Sequence, residues 1–252
     1  MIRLANSGLA GGVFCVAAAT AALTHHTAFA EDAPRVTTVD AGKTVDIAGV
    51  KNILILADHP KGSIILLTGG DGRLNVMAGA RFTDGTDNVL IRNRDAFVGA
   101  GYDVLLVDLG TDLATAVDYL AKLKRPVIVI GTSKGTQRAA EGLAKGAKPD
   151  MLVLSSGFLS EASGPGDSVT SLLRSPTLLP PTLVIHHRDD HCRWTNPAGV
   201  APFQTWGAGR VEVVWLSGGL DDEENPCRFS AHHGFAGLDH TFTSQILEFV
   251  QR

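Results

Sequence analysis

The stretch that most constrains this chain is the run Pro126-Val127-Ile128-Val129-Ile130, followed at once by Gly131-Thr132-Ser133-Lys134-Gly135 and then by Gln137-Arg138-Ala139-Ala140-Glu141. A run dominated by β-branched residues with no polar face reads as a strand buried on both sides. The segment after Gly135 favours helix. Between the two the chain must turn within a few residues. Glycines on either side of the serine suit that turn, because a Cβ at either flank meets the neighbouring strand or helix. The serine is then held in a strained backbone conformation, with its hydroxyl presented outward at a helix N-terminus.

A doubly buried strand needs a covering layer on each face, and the remaining sequence supplies them. Strand-like runs recur at 51–56, 63–67, 102–107, 126–130, 151–154, 182–186 and 211–216. Helical patterns fall between them at 91–99, 112–122, 135–144, 197–206 and 241–250. Apolar strands separated by helices imply an α/β fold, a mostly parallel twisted sheet with helices on both faces. Segment 35–47 alternates more, as an antiparallel edge does.

Segment 1–30 reads as an export signal: Arg3, an apolar run from Leu9 to Leu23, and Ala28-Phe29-Ala30 as a cleavage site before Glu31. Its apolar core is short and alanine-rich for a membrane span. Phe14 before Cys15 argues against a lipoprotein signal. The expected product is an exported, soluble, single domain over 31–252, with no membrane association once the signal is gone. Cleavage removes one base and no acid from 22 Lys plus Arg against 26 Asp plus Glu, taking the formal charge from −4 to −5. That balance argues against a nucleic-acid partner.

Export also bears on the cysteines. Cys192 and Cys227 remain after cleavage, an even pair in a compartment where disulfides persist, with two unpaired thiols as the alternative. A bridge between them closes a loop of about 36 residues and contributes roughly 3–4 kcal/mol in the chain-entropy model.

The Gly-x-Ser-x-Gly pattern by itself arises by chance in about one chain in five of this length. The flanking strand and helix distinguish it from a capping serine, and the order around Lys134 departs from a phosphate-binding loop. Such a serine needs a base to take its proton and a carboxylate to orient that base. In a strand–turn–helix arrangement of this kind they follow in the order acid, then histidine. Residues 182–190 bring Asp189 and Asp190 after a strand. The segment resembles hydrolase sequences in which the acid lies three positions past the strand end, which selects Asp190 over Asp189. His233, in His-Gly-Phe ahead of the last helix, is the candidate base, with His240 and His232 as alternatives. His186 and His187 read as structural. Thr68-Gly69-Gly70-Asp71-Gly72 ends a strand in a glycine turn, so backbone N–H groups of Gly70, or of Asp71 in its place, and of Lys134 are candidate oxyanion donors.

The Gly-Thr-Ser-x-Gly-Thr elbow, His-His-Arg-x-Asp-x-Cys loop and His-Gly-Phe segment together resemble the small exported bacterial α/β-hydrolases. Arg92-Asn93-Arg94-Asp95 and Phe97 add to the likeness, which runs from Lys51 to Phe249. The resemblance implies the α/β-hydrolase fold and a serine hydrolase mechanism with no metal or organic cofactor, and leaves the substrate open. Residues 157–180 are too few for a lid domain. The site is therefore expected to be open and bordered by Phe158, Leu159, Leu172 and Leu173, suiting a small or medium acyl ester, with packing of the loop as the alternative role of the same leucines. A bridge from Cys192 to Cys227 would tie the acid loop to the base loop. A peptidase or amidase with the same triad, and a binding protein on a hydrolase fold, are the competing readings.

Overall fold

A computed structural model describes residues 35–252; the signal-like segment 1–30 lies outside the described residues. The first strands are β1 (Thr37–Thr38), β2 (Gly42–Ile47), β3 (Val50–Ile55), β4 (Gly62–Leu67) and β5 (Arg81–Phe82). Helices α1 (Val89–Arg92) and α2 (Arg94–Gly99) lead to β6 (Tyr102–Leu106), and α3 (Leu113–Ala121) leads to β7 (Val127–Thr132). Then come α4 (Lys134–Ala144), β8 (Met151–Ser155), α5 (Val169–Leu173) and β9 (Thr182–His187). The chain closes with α6 (Val200–Trp206), β10 (Val211–Leu216) and α7 (Asp239–Val250).

Eight strands form one sheet in the order β10-β9-β8-β7-β4-β6-β3-β2. Pairings from β10 across to β6 are parallel, and β3 and β2 close the far edge antiparallel. The two-residue period of a strand sends alternate side chains to opposite faces. Ile64, Leu66, Ile128 and Ile130 therefore pack on one face under α1, α2 and α7. Ile65, Leu67, Val127 and Val129 pack on the other under α3, α4, α5 and α6. All eight are nearly inaccessible to solvent, and each contributes about 1.5–3 kcal/mol by burial.

Three elements depart from the sequence reading. The helix expected at 91–99 is two short ones, because the Asn93 side chain donates to the Val89 carbonyl at 2.8 Å while its backbone sits at φ −102°, ψ 6°. An asparagine amide competing for a helix carbonyl in this way interrupts the ladder. Segment 35–47 supplies the antiparallel edge only from Gly42. Thr37 and Thr38 pair instead with Phe82 and Arg81 in a separate ribbon, next to the place where Thr44 Oγ1 donates to Met77 O and accepts from Ala80 N. The 197–206 helix begins with a 3-10 turn, Pro197–Gly199, capped by Asn196.

The topology fixes where a site belongs. From β4 the chain crosses on one face to β6 and returns on the other to β7, so β4 and β7 are neighbours whose connections diverge. Their carboxyl ends open a crevice at this switch point.

Candidate active site

Ser133 sits at the end of β7, in the crevice, at φ 52° and ψ −125°. That backbone region costs a non-glycine residue about 1–3 kcal/mol. The conformation is held from both sides: Ser133 N–H donates to Ser155 O at 3.0 Å, and Thr136 N–H donates to Ser133 O at 2.9 Å. Sterics explain the flanking glycines. A Cβ on Gly131 would lie 2.7 Å from Gly135 O, and one on Gly135 would overlap Leu67 O. Helix α4 thus starts almost against β4, and Lys134, its first residue, carries an N–H without an intrahelical acceptor.

Facing it is the turn after β4. Gly69 approaches so closely that a Cβ there would lie 2.9 Å from the Ser133 Cβ. Gly70 follows at φ +61°, a left-handed conformation suited to glycine. Gly72 N–H closes the turn onto Gly69 O at 3.1 Å. Arg138, projecting from α4, donates from Nη2 to the Thr68 carbonyl, and a side chain at Gly72 would collide with its guanidinium. Burial pulls the Arg138 pKa down, while the charges of Asp71, Glu141 and Asp108 pull it back up. Gly70, in the turn after β4, and Lys134, at the start of α4, thus line the same cleft as the serine.

The acid and the histidine arrive on loops after β9 and β10. Asp190 is 3 % exposed. Its Oδ1 accepts from Cys192 N–H at 2.9 Å, and its Oδ2 lies 3.1 Å from His233 Nδ1. Thr195 Oγ1 lies 3.0 Å from the same nitrogen and donates to Asp190 Oδ2 at 3.3 Å. Nδ1 of His233 therefore carries the proton, and Nε2 is left as the basic lone pair. Ser156 Oγ donates to His233 O at 2.8 Å, and Arg92 Nη2 donates to Gly234 O at 2.8 Å, so the histidine's backbone is fixed from two sides.

The alternatives face elsewhere. Asp189 is exposed, its N–H donating to His187 Nδ1. His232 stacks on His187 with ring centroids 4.0 Å apart and turns Nδ1 toward Asp189 O, while His240 is exposed on α7. His186 is fully buried, with Nδ1 3.2 Å from His187 O and Nε2 4.0 Å from Asp190 Oδ2. Burial drives its pKa down, against the upward pull of Asp190.

Ser133, Lys134, Gly70 and His233 line one open cleft of about 670 Å³. Phe158, Trp194 and the Cys192–Cys227 disulfide form much of its wall. Arg193 lies over the Trp194 ring, 4.6 Å from its centroid, which holds that aromatic at the rim. Phe158 thus stands where the sequence reading put a substrate-lining residue, but Leu172 and Leu173 do not. Leu173 is 3 % exposed within the core and Leu172 packs against it, because α5 turns both toward α4 and the sheet. Leu159 is likewise buried in that core. Thr195 carries no motif in the sequence; its only signal is a hydroxyl five positions past Asp190. Among the described residues no group of three or more His, Cys, Asp or Glu side chains is arranged to hold a metal ion.

No protein-family profile matches the chain, and no curated protein matches it in sequence. Its architecture is similar to solved esterase structures. The Pyrococcus furiosus esterase Pf2001 aligns at TM-score 0.56 and 16 % identity, over 86 % of this chain and 88 % of that one. The esterase domain of a Rhodothermus marinus protein aligns at 0.55 and 14 %, over 85 % of this chain and 98 % of that one. The Exiguobacterium antarcticum esterase EaEST aligns at 0.54 and 13 %, over 84 % of this chain and all of that one. With the sheet order, the crossovers about β4 and β7 and this likeness together, the chain has the α/β-hydrolase fold.

Proposed function

We propose that this chain is a serine hydrolase acting on carboxylic esters, with Ser133 as nucleophile, His233 as general base and Asp190 orienting the imidazole. The observation that carries the reading is the buried Asp190–His233 pair, 3.1 Å apart on the loops after β9 and β10, whose histidine shares a cleft with the strained Ser133.

In the first step Ser133 Oγ bonds to the acyl carbon while its proton passes to His233 Nε2. The oxyanion is received by the N–H groups of Gly70 and Lys134, each worth about 2.7–4 kcal/mol in the transition state. Collapse breaks the ester C–O bond, and the departing alkoxide takes the proton from His233. Water then attacks the acyl-enzyme, giving its proton to His233 and its oxygen to the acyl carbon. The acid leaves as Ser133 recovers a proton.

Two further observations support the reading. The three solved structures described above are esterases by name, and the open cleft, with Phe158 and Trp194 in its wall, suits a small-molecule acyl ester. Export is proposed from the disulfide together with the signal-like segment. No described helix is long and apolar enough to cross a membrane.

The test is hydrolysis of p-nitrophenyl acetate by the parent protein and by Ser133→Ala, with an anilide panel alongside to separate ester from amide preference. Loss of at least about 10⁴-fold in kcat is expected. Full activity in the variant overturns the mechanism.

A further inference from the structure

His233 rides on a long connection. Between the end of β10 at Leu216 and the start of α7 at Asp239 the only helical piece is the 3-10 turn His232–Gly234. Directly after it Phe235 takes a left-handed backbone, φ 53° and ψ 39°, which a bulky residue adopts only where its surroundings impose it. The turn is pressed close to Phe229, since a Cβ on Gly234 would lie 2.4 Å from the Phe229 Cα.

Arg92, the last residue of α1, holds that same turn. Its Nη2 donates to Gly234 O at 2.8 Å and to Phe235 O at 3.3 Å, the two carbonyls that follow His233. Nε donates to Oδ1 of Asp239, the first residue of α7, at 2.6 Å, and Nη1 donates to Asp87 O at 2.7 Å. All three guanidinium nitrogens are engaged, so one planar fork ties α1, the base turn and α7 together. Arg92 does not line the cleft shared by Ser133 and His233. Whatever it does for the chemistry therefore passes through the backbone of the base.

We infer that Arg92 is a positioning residue for the reaction: its guanidinium latches the turn that carries the general base, and so sets where His233 Nε2 stands relative to Ser133 Oγ. The inference rests on His233 being that base. Every proton transfer of the proposed cycle uses this nitrogen, and a misplacement of about 1 Å costs on the order of a hundredfold in rate.

The test is steady-state hydrolysis of p-nitrophenyl butyrate by the parent, Arg92→Ala, Arg92→Lys and His233→Ala. Each is assayed well below its melting temperature, so that lost stability alone leaves the rate unmoved. In Arg92→Ala, kcat is expected to fall about ten- to a hundredfold while KM stays within about threefold of the parent. Guanidinium chloride far below denaturing concentration should restore part of that kcat, and sodium chloride at the same concentration should not. Lysine keeps the charge, but its single ammonium cannot reach Asp239 and Gly234 O together, so kcat should still fall about threefold or more. That variant carries the test if the alanine one does not fold. A kcat within about twofold of the parent in the folded variants, a loss confined to KM, or an alanine deficit that guanidinium leaves untouched overturns the latch. His233→Ala separates the claims: if it is inactive while the Arg92 variants are unaltered, only the latch fails, whereas full activity in it sinks the base assignment and this inference with it.

Discussion

Replacing Thr195 by valine removes one hydroxyl and almost nothing else. The side chain is fully buried, and a methyl in place of the hydroxyl leaves no cavity. What disappears is the atom 3.0 Å from His233 Nδ1 and 3.3 Å from Asp190 Oδ2. Asp190 keeps Cys192 N–H on Oδ1 and His233 on Oδ2, but loses the donor that steadies Oδ2 against the developing imidazolium. A hydrogen bond to a charged group is worth about 1.5–3 kcal/mol, so kcat/KM should fall roughly ten- to a hundredfold. The loss should lie in kcat, because Thr195 does not line the cleft and so leaves ground-state binding alone. The assay is steady-state hydrolysis of p-nitrophenyl butyrate by the parent, Thr195→Val and Thr195→Ser, with melting temperatures measured on all three. Serine restores the hydroxyl and should restore most of the rate. Activity of Thr195→Val within about twofold of the parent refutes the assigned role, as does a serine variant no better than the valine one.

The remaining expectations concern folding and conditions. Gly135→Ala forces a Cβ into Leu67 O, so urea unfolding should show a loss of at least about 3 kcal/mol; a loss under about 1 kcal/mol contradicts the close approach of α4 to β4. Reducing Cys192–Cys227 should lower unfolding free energy by about 3–4 kcal/mol and depress activity, because Cys192 N–H holds Asp190 Oδ1 at 2.9 Å; unchanged melting and rate in dithiothreitol contradict the tether. Buried His186 has its pKa pushed below the ordinary 6.5 by desolvation, so below that pH the unfolded chain binds a proton that the native state resists. Its stability contribution is therefore full above about pH 6.5 and is lost as pH falls toward the folded value, at up to about 1.4 kcal/mol per pH unit. His186→Gln should show a shallower decline in urea stability between pH 7.5 and 5.5 than the parent, and an equal slope excludes His186 as the source.

What the sequence made legible was mostly local. Gly131, Ser133 and Gly135 declare themselves because the contacts that exclude a Cβ lie between a strand, its own turn and the next helix. Asp190 follows the end of β9 at His187 by three positions, one residue past the strand end read at 186. Long-range partners left no such mark. Thr195 meets His233 across 38 residues of chain, and the carbonyls that Arg92 holds at Gly234 and Phe235 lie 142 and 143 residues away. Leu172 and Leu173 look like rim residues in a loop of modest polarity, yet α5 folds them onto the core. The break at Asn93 was also hidden, since it depends on a side-chain bond to Val89 O and on the contact with Asp239 of α7.

Fluorophosphonate labelling followed by peptide mass spectrometry tests the central claim most directly, because it reports nucleophilicity at a named atom independently of any substrate. One phosphonyl adduct is expected on the oxidised protein, on the peptide containing Ser133, and it should be lost in His233→Ala. No adduct, or an adduct on another residue with Ser133 unmodified, contradicts the claim.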